Sequence, residues 1–171
     1  LDGWADLYVA QEDDRPALVY RNLAGSRFDG RSLPVAPPLD PGAAHDVPAV
    51  FGDLDRDGRT DVVWARTDGS PIGALRNATD TGGRHWLDVA VADTPGTGER
   101  GGIGARVIVS AGGVVQFRDV TGGASRASQN PLSVRFGLDR WDGADYVFVV
   151  WSDGRTASYV GVEGDRTLFV P

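Results

Sequence analysis

The segment Asp2 to Leu23, moved 55 positions along the chain, falls on Asp57 to Ala78 without a gap. Asp2-Gly3 meets Asp57-Gly58, Asp6 meets Asp61, Ala10 meets Ala65, Asp13 meets Asp68, Pro16 meets Pro71, and Arg21-Asn22 meets Arg76-Asn77. The identities gather at turn-type residues, and the apolar positions between them also agree: Leu7-Tyr8-Val9 faces Val62-Val63-Trp64, and Val19-Tyr20 faces Ala74-Leu75. Each copy reads as turn, strand, polar turn, strand. A repeat of this kind buries its faces only against its neighbours. The first copy lacks the front of its opening turn, so the spacing predicts further repeats of the same parent chain upstream.

The complete second copy opens with Phe51-Gly52-Asp53-Leu54-Asp55-Arg56-Asp57-Gly58-Arg59-Thr60-Asp61, a D-x-D-x-D-G-x-x-D loop. Carboxylates at positions one, three and five converge when the chain coils tightly, and Gly58 at position six permits the sharp turn. Arg59 at position seven would offer its main-chain carbonyl, and Asp61 at position nine closes the cage. Four carboxylates within nine residues repel one another unless a cation stands among them, and Arg56 and Arg59 offset that only in part. An all-oxygen donor set suits calcium, whereas transition metals would want nitrogen or sulfur. The bland alternative is an acidic turn that uses Asp to cap its own backbone. The predicted metal set is Asp53, Asp55, Asp57, Arg59 and Asp61, with calcium as the cofactor.

Composition narrows the remaining classes. Net charge is −7, every basic residue is arginine, and only Glu12, Glu99 and Glu163 among the acids are glutamate. Such an acidic surface repels phosphate backbones and makes nucleic acid a poor partner. There is no cysteine, hence neither a disulfide framework nor a thiolate site. No stretch approaches a membrane span, and no window holds a 3.6-residue period. Leu1 opens no signal peptide, so any targeting segment is expected to be removed or to lie upstream.

From Trp86 onward strand and turn alternate. Strands are predicted at Trp86–Val91, Ala105–Ser110, Val114–Val120, Leu132–Phe136, Tyr146–Trp151, Thr156–Val160 and Thr167–Val170, with hairpin turns at Ala111-Gly112-Gly113 and Ser152-Asp153-Gly154. That many short strands suit a compact antiparallel sandwich or barrel, with Trp86, Phe117, Phe136, Phe148 and Trp151 as its aromatic core. Arg106 and Arg118 interrupt apolar strands and are expected to face solvent or pair with an aspartate such as Asp119 or Asp145. The loop Gly122 to Asn130 is long, polar and glycine-rich. Its Arg126, Gln129 and Asn130 are the candidate binding residues for a protein or glycan, against the alternative that Gln129 and Asn130 only satisfy backbone groups. Asp139 to Asp145 reads as an acidic turn exposing Trp141 rather than as a second cation site.

With these residues set out, Phe51 to Asn77 and the truncated Asp2 to Asn22 resemble FG-GAP/VCBS repeats, the calcium-loop blades of integrin α-chain-like β-propellers. The C-terminal half resembles the ASPIC/UnbV domain that follows such repeats in the cartilage acidic protein family and its bacterial relatives. The stretches that carry this are His85-Trp86-Leu87, Gly102-Ile103-Gly104-Ala105-Arg106-Val107, Ser128-Gln129-Asn130 leading to Phe136-Gly137-Leu138, and Val150-Trp151-Ser152-Asp153-Gly154-Arg155. Two positions depart from the family pattern: Glu99-Arg100 stands where an Asn-Arg pair is frequent, and Ser152 where proline is common. The resemblance implies an all-β chain, with partial β-propeller-type blades over 1–84 and the sandwich or barrel domain over 85–171. It also implies an extracellular, cell-surface or periplasmic protein, and little chemistry.

An enzyme finds few residues here. The histidines are His45, in a Pro/Ala/Gly linker, and His85, at the domain junction. There is no G-x-S-x-G elbow, phosphate loop or paired-histidine metal motif. The leading expectation is a calcium-stabilised binding or scaffold module for a protein or glycan partner, without membrane insertion. The rival is an accessory or catalytic component of a biosynthetic or catabolic enzyme system, as UnbV-like proteins suggest. A deep cleft lined by ionisable residues would favour the rival, and a flat loop surface would favour binding.

Overall fold

The computed structural model of the chain describes residues 2–9, 18–29, 33–34, 49–64, 72–93, 101–123 and 128–171. His45, Glu99, Arg100 and Arg126 lie outside them. Among the described residues there is no helix, and the chain is all-β.

The N-terminal part forms small sheets. Strands β1 (Leu7–Val9) and β2 (Leu18–Tyr20) pair antiparallel, followed by the β3 (Asn22–Leu23) and β4 (Arg27–Phe28) hairpin and by β5 (Leu33–Pro34), which pairs with β2. The second copy contributes β6 (Ala49–Gly52), β7 (Asp61–Trp64) and β8 (Gly73–Leu75), in the order β6-β7-β8. The repeat survives into the pairing. Leu7↔Tyr20, Tyr8↔Val19 and Val9↔Leu18 in the first copy become Val62↔Leu75, Val63↔Ala74 and Trp64↔Gly73 in the second, each partner displaced by the same 55 residues. Matching turn residues at either end hold the register in place. The copies touch where the Tyr8 and Phe51 rings meet edge-on, 5.3 Å between centroids.

The C-terminal part is a sandwich of two open sheets. One runs β11 (Val114–Asp119), β10 (Arg106–Ala111), β13 (Gly143–Val150), β14 (Thr156–Glu163); the other runs β12 (Val134–Asp139), β9 (His85–Val91), β15 (Arg166–Val170). Gly112 and Gly113, both at positive φ, join β10 to β11 in the two-residue turn their sequence asks for, and Gly154 closes the β13–β14 turn at φ 87. All seven predicted strands are present. One pairing departs from a wholly antiparallel domain: β15 lies parallel to β9, because the chain leaves β14 at Gly164-Asp165 and crosses to the other sheet. Asp165 fixes that crossing, its amide donating to the Trp86 carbonyl at 2.6 Å and its carboxylate meeting His85 Nδ1 at 2.7 Å.

Between the sheets lie Leu87, Val89 and Val91, Val107 and Val109, Val147 and Val149, with Phe136 and Leu138. β-Branched valines dominate because their stiff side chains pack well on a pleated face. The aromatic core expected from sequence is corrected in one respect. Phe136 and Trp151 are buried, Trp86 and Phe148 half-buried, but Phe117 is 58% exposed. Phe117 faces outward with Val115 beside Ile108 and Phe148, so this sheet is apolar on both faces and simple alternation misassigns it.

Candidate functional site

The acidic loop joins β6 to β7 and coils as its spacing predicts. Asp53 accepts the Asp57 amide on Oδ1 at 3.1 Å and the Gly58 amide on Oδ2 at 2.9 Å, which curls the chain around the first carboxylate. Gly58 is required twice over. Its φ of +85° disfavours a side chain, and a Cβ there would stand 2.1 Å from Trp86 Nε1. Asp53, Asp55 and Asp61 each offer a carboxylate oxygen, all within 4.8 Å of one another. No second such cluster occurs among the described residues, the 139–145 turn included.

Asp57 points elsewhere. Its carboxylate is held by the Arg59 and Arg76 guanidiniums, and Arg76 also binds Asp55. Burial pushes the Asp57 carboxyl up, but the Arg59 amide and the two guanidiniums outweigh that and hold it below the usual carboxylate range. The hydrogen bond to Asp55, then that to Asp57, raises the pKa of Arg76 in turn. Of the four predicted carboxylates the structure therefore gathers three and ties the fourth to arginines. The donors are all oxygen, and the two arginines, spent on Asp57 and Asp55, offset the crowded negative charge only in part. This chemistry fits a hard cation held by Asp53, Asp55 and Asp61.

Asp61 also holds two backbone amides, a role that sequence reading, which expected metal ligation alone, did not assign to it. It is 1% exposed, accepting the Leu54 amide on Oδ2 at 2.9 Å and the Asn77 amide on Oδ1 at 2.7 Å, while Asn77 Nδ2 donates to the Thr60 carbonyl. The first copy repeats the device: Asp6 Oδ1 accepts the Asn22 amide at 2.8 Å, and Asn22 Nδ2 donates to the Ala5 carbonyl. Arg21 with Asp2 at 3.2 Å likewise matches Arg76 with Asp57 at 3.0 Å. The Asp…Asn identity at 55-residue spacing thus marks a pin that fastens the start of one strand, β1 or β7, to the second residue past its antiparallel partner, β2 or β8.

The sandwich clasps this loop. Arg135 on β12 reaches Asp53 Oδ2 at 3.1 Å, lies 3.7 Å from Asp88, and stacks 4.7 Å above the Trp86 ring, the ring that covers Gly58. Asn130 Oδ1 accepts the Phe51 amide at 3.0 Å, and Ser128 Oγ donates to the Ala49 carbonyl at 3.2 Å. Gln129 folds back, accepting the Gly123 amide and donating to the Thr121 and Asn130 carbonyls. Of the predicted binding residues in that loop, Gln129 bonds backbone groups within the turn, whereas Asn130 reaches the Phe51 backbone of the repeat. Sequence reading missed Arg135 and placed Trp86 only in the core, since the loop they meet lies far along the chain from both.

Beside the clasp a cleft of about 390 Å³ opens between repeat and sandwich, walled by Phe51 and Thr60 on one side and by Asp88, Arg118, Thr121 and Ser133 on the other. Arg106 pairs with Asp119 as expected, Nε to Oδ1 at 2.6 Å. Arg118 takes neither expected course. It is half-buried, donates Nη1 to the Phe117 carbonyl at 2.9 Å, and lies 5.6 Å over the Phe136 ring.

A family model described as FG-GAP-like repeat matches residues 1–64, and one described as ASPIC and UnbV matches residues 96–171. No curated protein matches the chain.

Proposed function

We propose, for a chain that is an FG-GAP repeat and ASPIC/UnbV domain protein, that it is a calcium-stabilised interaction module of the cell exterior, binding a protein or glycan partner. The observation that carries this is the convergence of Asp53, Asp55 and Asp61 within 4.8 Å in a loop that the C-terminal domain clasps. A calcium ion held by these three would supply charge where like charges crowd, stiffening the loop and with it the seam to the sandwich. FG-GAP repeats are typical of extracellular and surface proteins, which supports the location. A rigid β frame with loops at its ends suits presentation of a binding surface.

Extracellular modules of this kind bind calcium at about 0.1–1 mM. Millimolar calcium then adds about 0.4–1.4 kcal/mol by mass action. Thermal melts with calcium and with chelator should differ accordingly, and protein and glycan arrays should retain the chain more strongly with calcium. A melting temperature indifferent to calcium would remove the metal, and arrays blank in both conditions would remove the binding role.

A further inference from the structure

Eight described arginines, at 21, 59, 76, 84, 106, 135, 155 and 166, pair with an aspartate or glutamate. Arg27, Arg56 and Arg140 do not, but they are exposed and water solvates them. Arg118 is different. It is half-buried at the wall of the junction cleft with no described carboxylate against it, although the chain has seven more acids than bases. Its neighbours are a carbonyl and a phenyl ring, which leave most of the guanidinium fork unused. Asp119, next in sequence, also lines the cleft, but Arg106 holds its carboxylate.

We propose that this cleft binds an acidic sugar, with Arg118 receiving its carboxylate. The proposal rests on the binding-module reading and gives that module a site and a ligand class. A planar guanidinium pairs with a carboxylate through two parallel hydrogen bonds, and the pair is strongest where water is already partly excluded. Burial lowers the Arg118 pKa, so an arriving anion restores what desolvation has cost. The rest of the wall explains the sugar. Thr60, Thr121 and Ser133 offer hydroxyls and Phe51 an aromatic ring, partners for a polyhydroxylated ring; of the lining carboxylates Asp53, Asp88 and Asp119, Arg135 holds the first and Arg106 the last. The cleft is at the small end of ligand pockets, with room for one such ring. The surrounding aspartates disfavour a ligand with several negative charges, so one carboxylate among hydroxyls matches best.

Titration of the whole chain in calcium with galacturonate and glucuronate, followed by amide NMR, tests this. Saturable shifts at Thr121, Asn130 and Ser133 are expected, with galactose and glucose at least tenfold weaker. Arg118→Gln should weaken the uronates at least tenfold at an unchanged melting temperature, and Arg118→Lys should recover part of the loss. The assignment is overturned if uronates give no saturable shifts, if Arg118→Gln leaves them intact, or if acetate or a short peptide carboxylate binds as well. The first of these outcomes would leave Arg118 as an inward charge that blunts an edge strand. Array capture by the Arg118→Gln chain separates the two levels. Calcium-dependent capture that persists there while uronates fail keeps the module and removes this cleft.

Discussion

Asp55 and Asp61 both belong to the carboxylate triad, yet they differ in what else they hold. Asp55 is exposed and meets only an exposed arginine, whereas Asp61 is buried under two backbone amides. Asp55→Asn should therefore abolish the calcium-dependent rise in melting temperature while leaving the calcium-free melt nearly unchanged. Asp61→Ala should lower the calcium-free melt too, by about 1–3 kcal/mol for each buried donor left unpaired. Equal calcium-free melts for the two variants would show that Asp61 is no pin. Acid should act in one direction. Asp119, Asp153 and Asp57 are held below their ordinary values, Asp119 chiefly by Arg106, Asp153 chiefly by the Arg155 amide, and Asp57 by arginine hydrogen bonds that exceed its burial. A carboxyl with a depressed folded pKa contributes stability above its unfolded value, near 3.9 for Asp, and loses it as pH falls toward the folded value. Calcium-free melts should be level from about pH 7 to 5 and fall below about pH 4, and Asp119→Asn should make that fall shallower.

At the scale of elements, β12 joins the two halves, because Arg135 on it binds the first carboxylate of the loop. Removing it should have opposed effects. Arg135→Met leaves Asp53, whose side chain is 4% exposed, without its charged partner, and a charged hydrogen bond of this sort contributes about 1.5–3 kcal/mol. The same change removes a positive charge that competes for a carboxylate proposed to hold calcium, so calcium affinity measured by calorimetry should rise severalfold. A variant that is less stable and also binds calcium more weakly would mean that Arg135 organises the loop rather than competing with the ion. None of this was legible in the sequence. The loop was, because its ligands lie within nine residues and its glycine is fixed by backbone geometry. The hairpins were too, since Gly112-Gly113 and Gly154 set them locally. The parallel placement of β15, the outward turn of Phe117 and the Asp53–Arg135 contact depend on residues far apart in sequence, where strand periodicity carries no information.

For the molecule as a whole, the decisive fact is where burial lies. Every fully buried hydrophobic among the described residues falls between Leu87 and Val170, while the strands of the first copy are at most half-buried. The repeats are held by edge contacts, by the aspartate pins and by the clasp from the sandwich, and a stack of such units gains its core from neighbours. Local opening should therefore cost much less in the repeats than in the sandwich. Hydrogen exchange on the whole chain should show Leu7–Val9 and Leu18–Tyr20 exchanging fast, β6 and β7 at an intermediate rate because Asn130, Ser128 and Arg135 brace them, and β10 and β13 slowest. Calcium should slow β6 and β7 selectively, since its proposed ligands flank them, and leave β10 and β13 unchanged. Uniform protection from Leu7 to Val170 would mean that the repeats and the sandwich unfold as one unit, and that the edge contacts of the first copy do the work of a core.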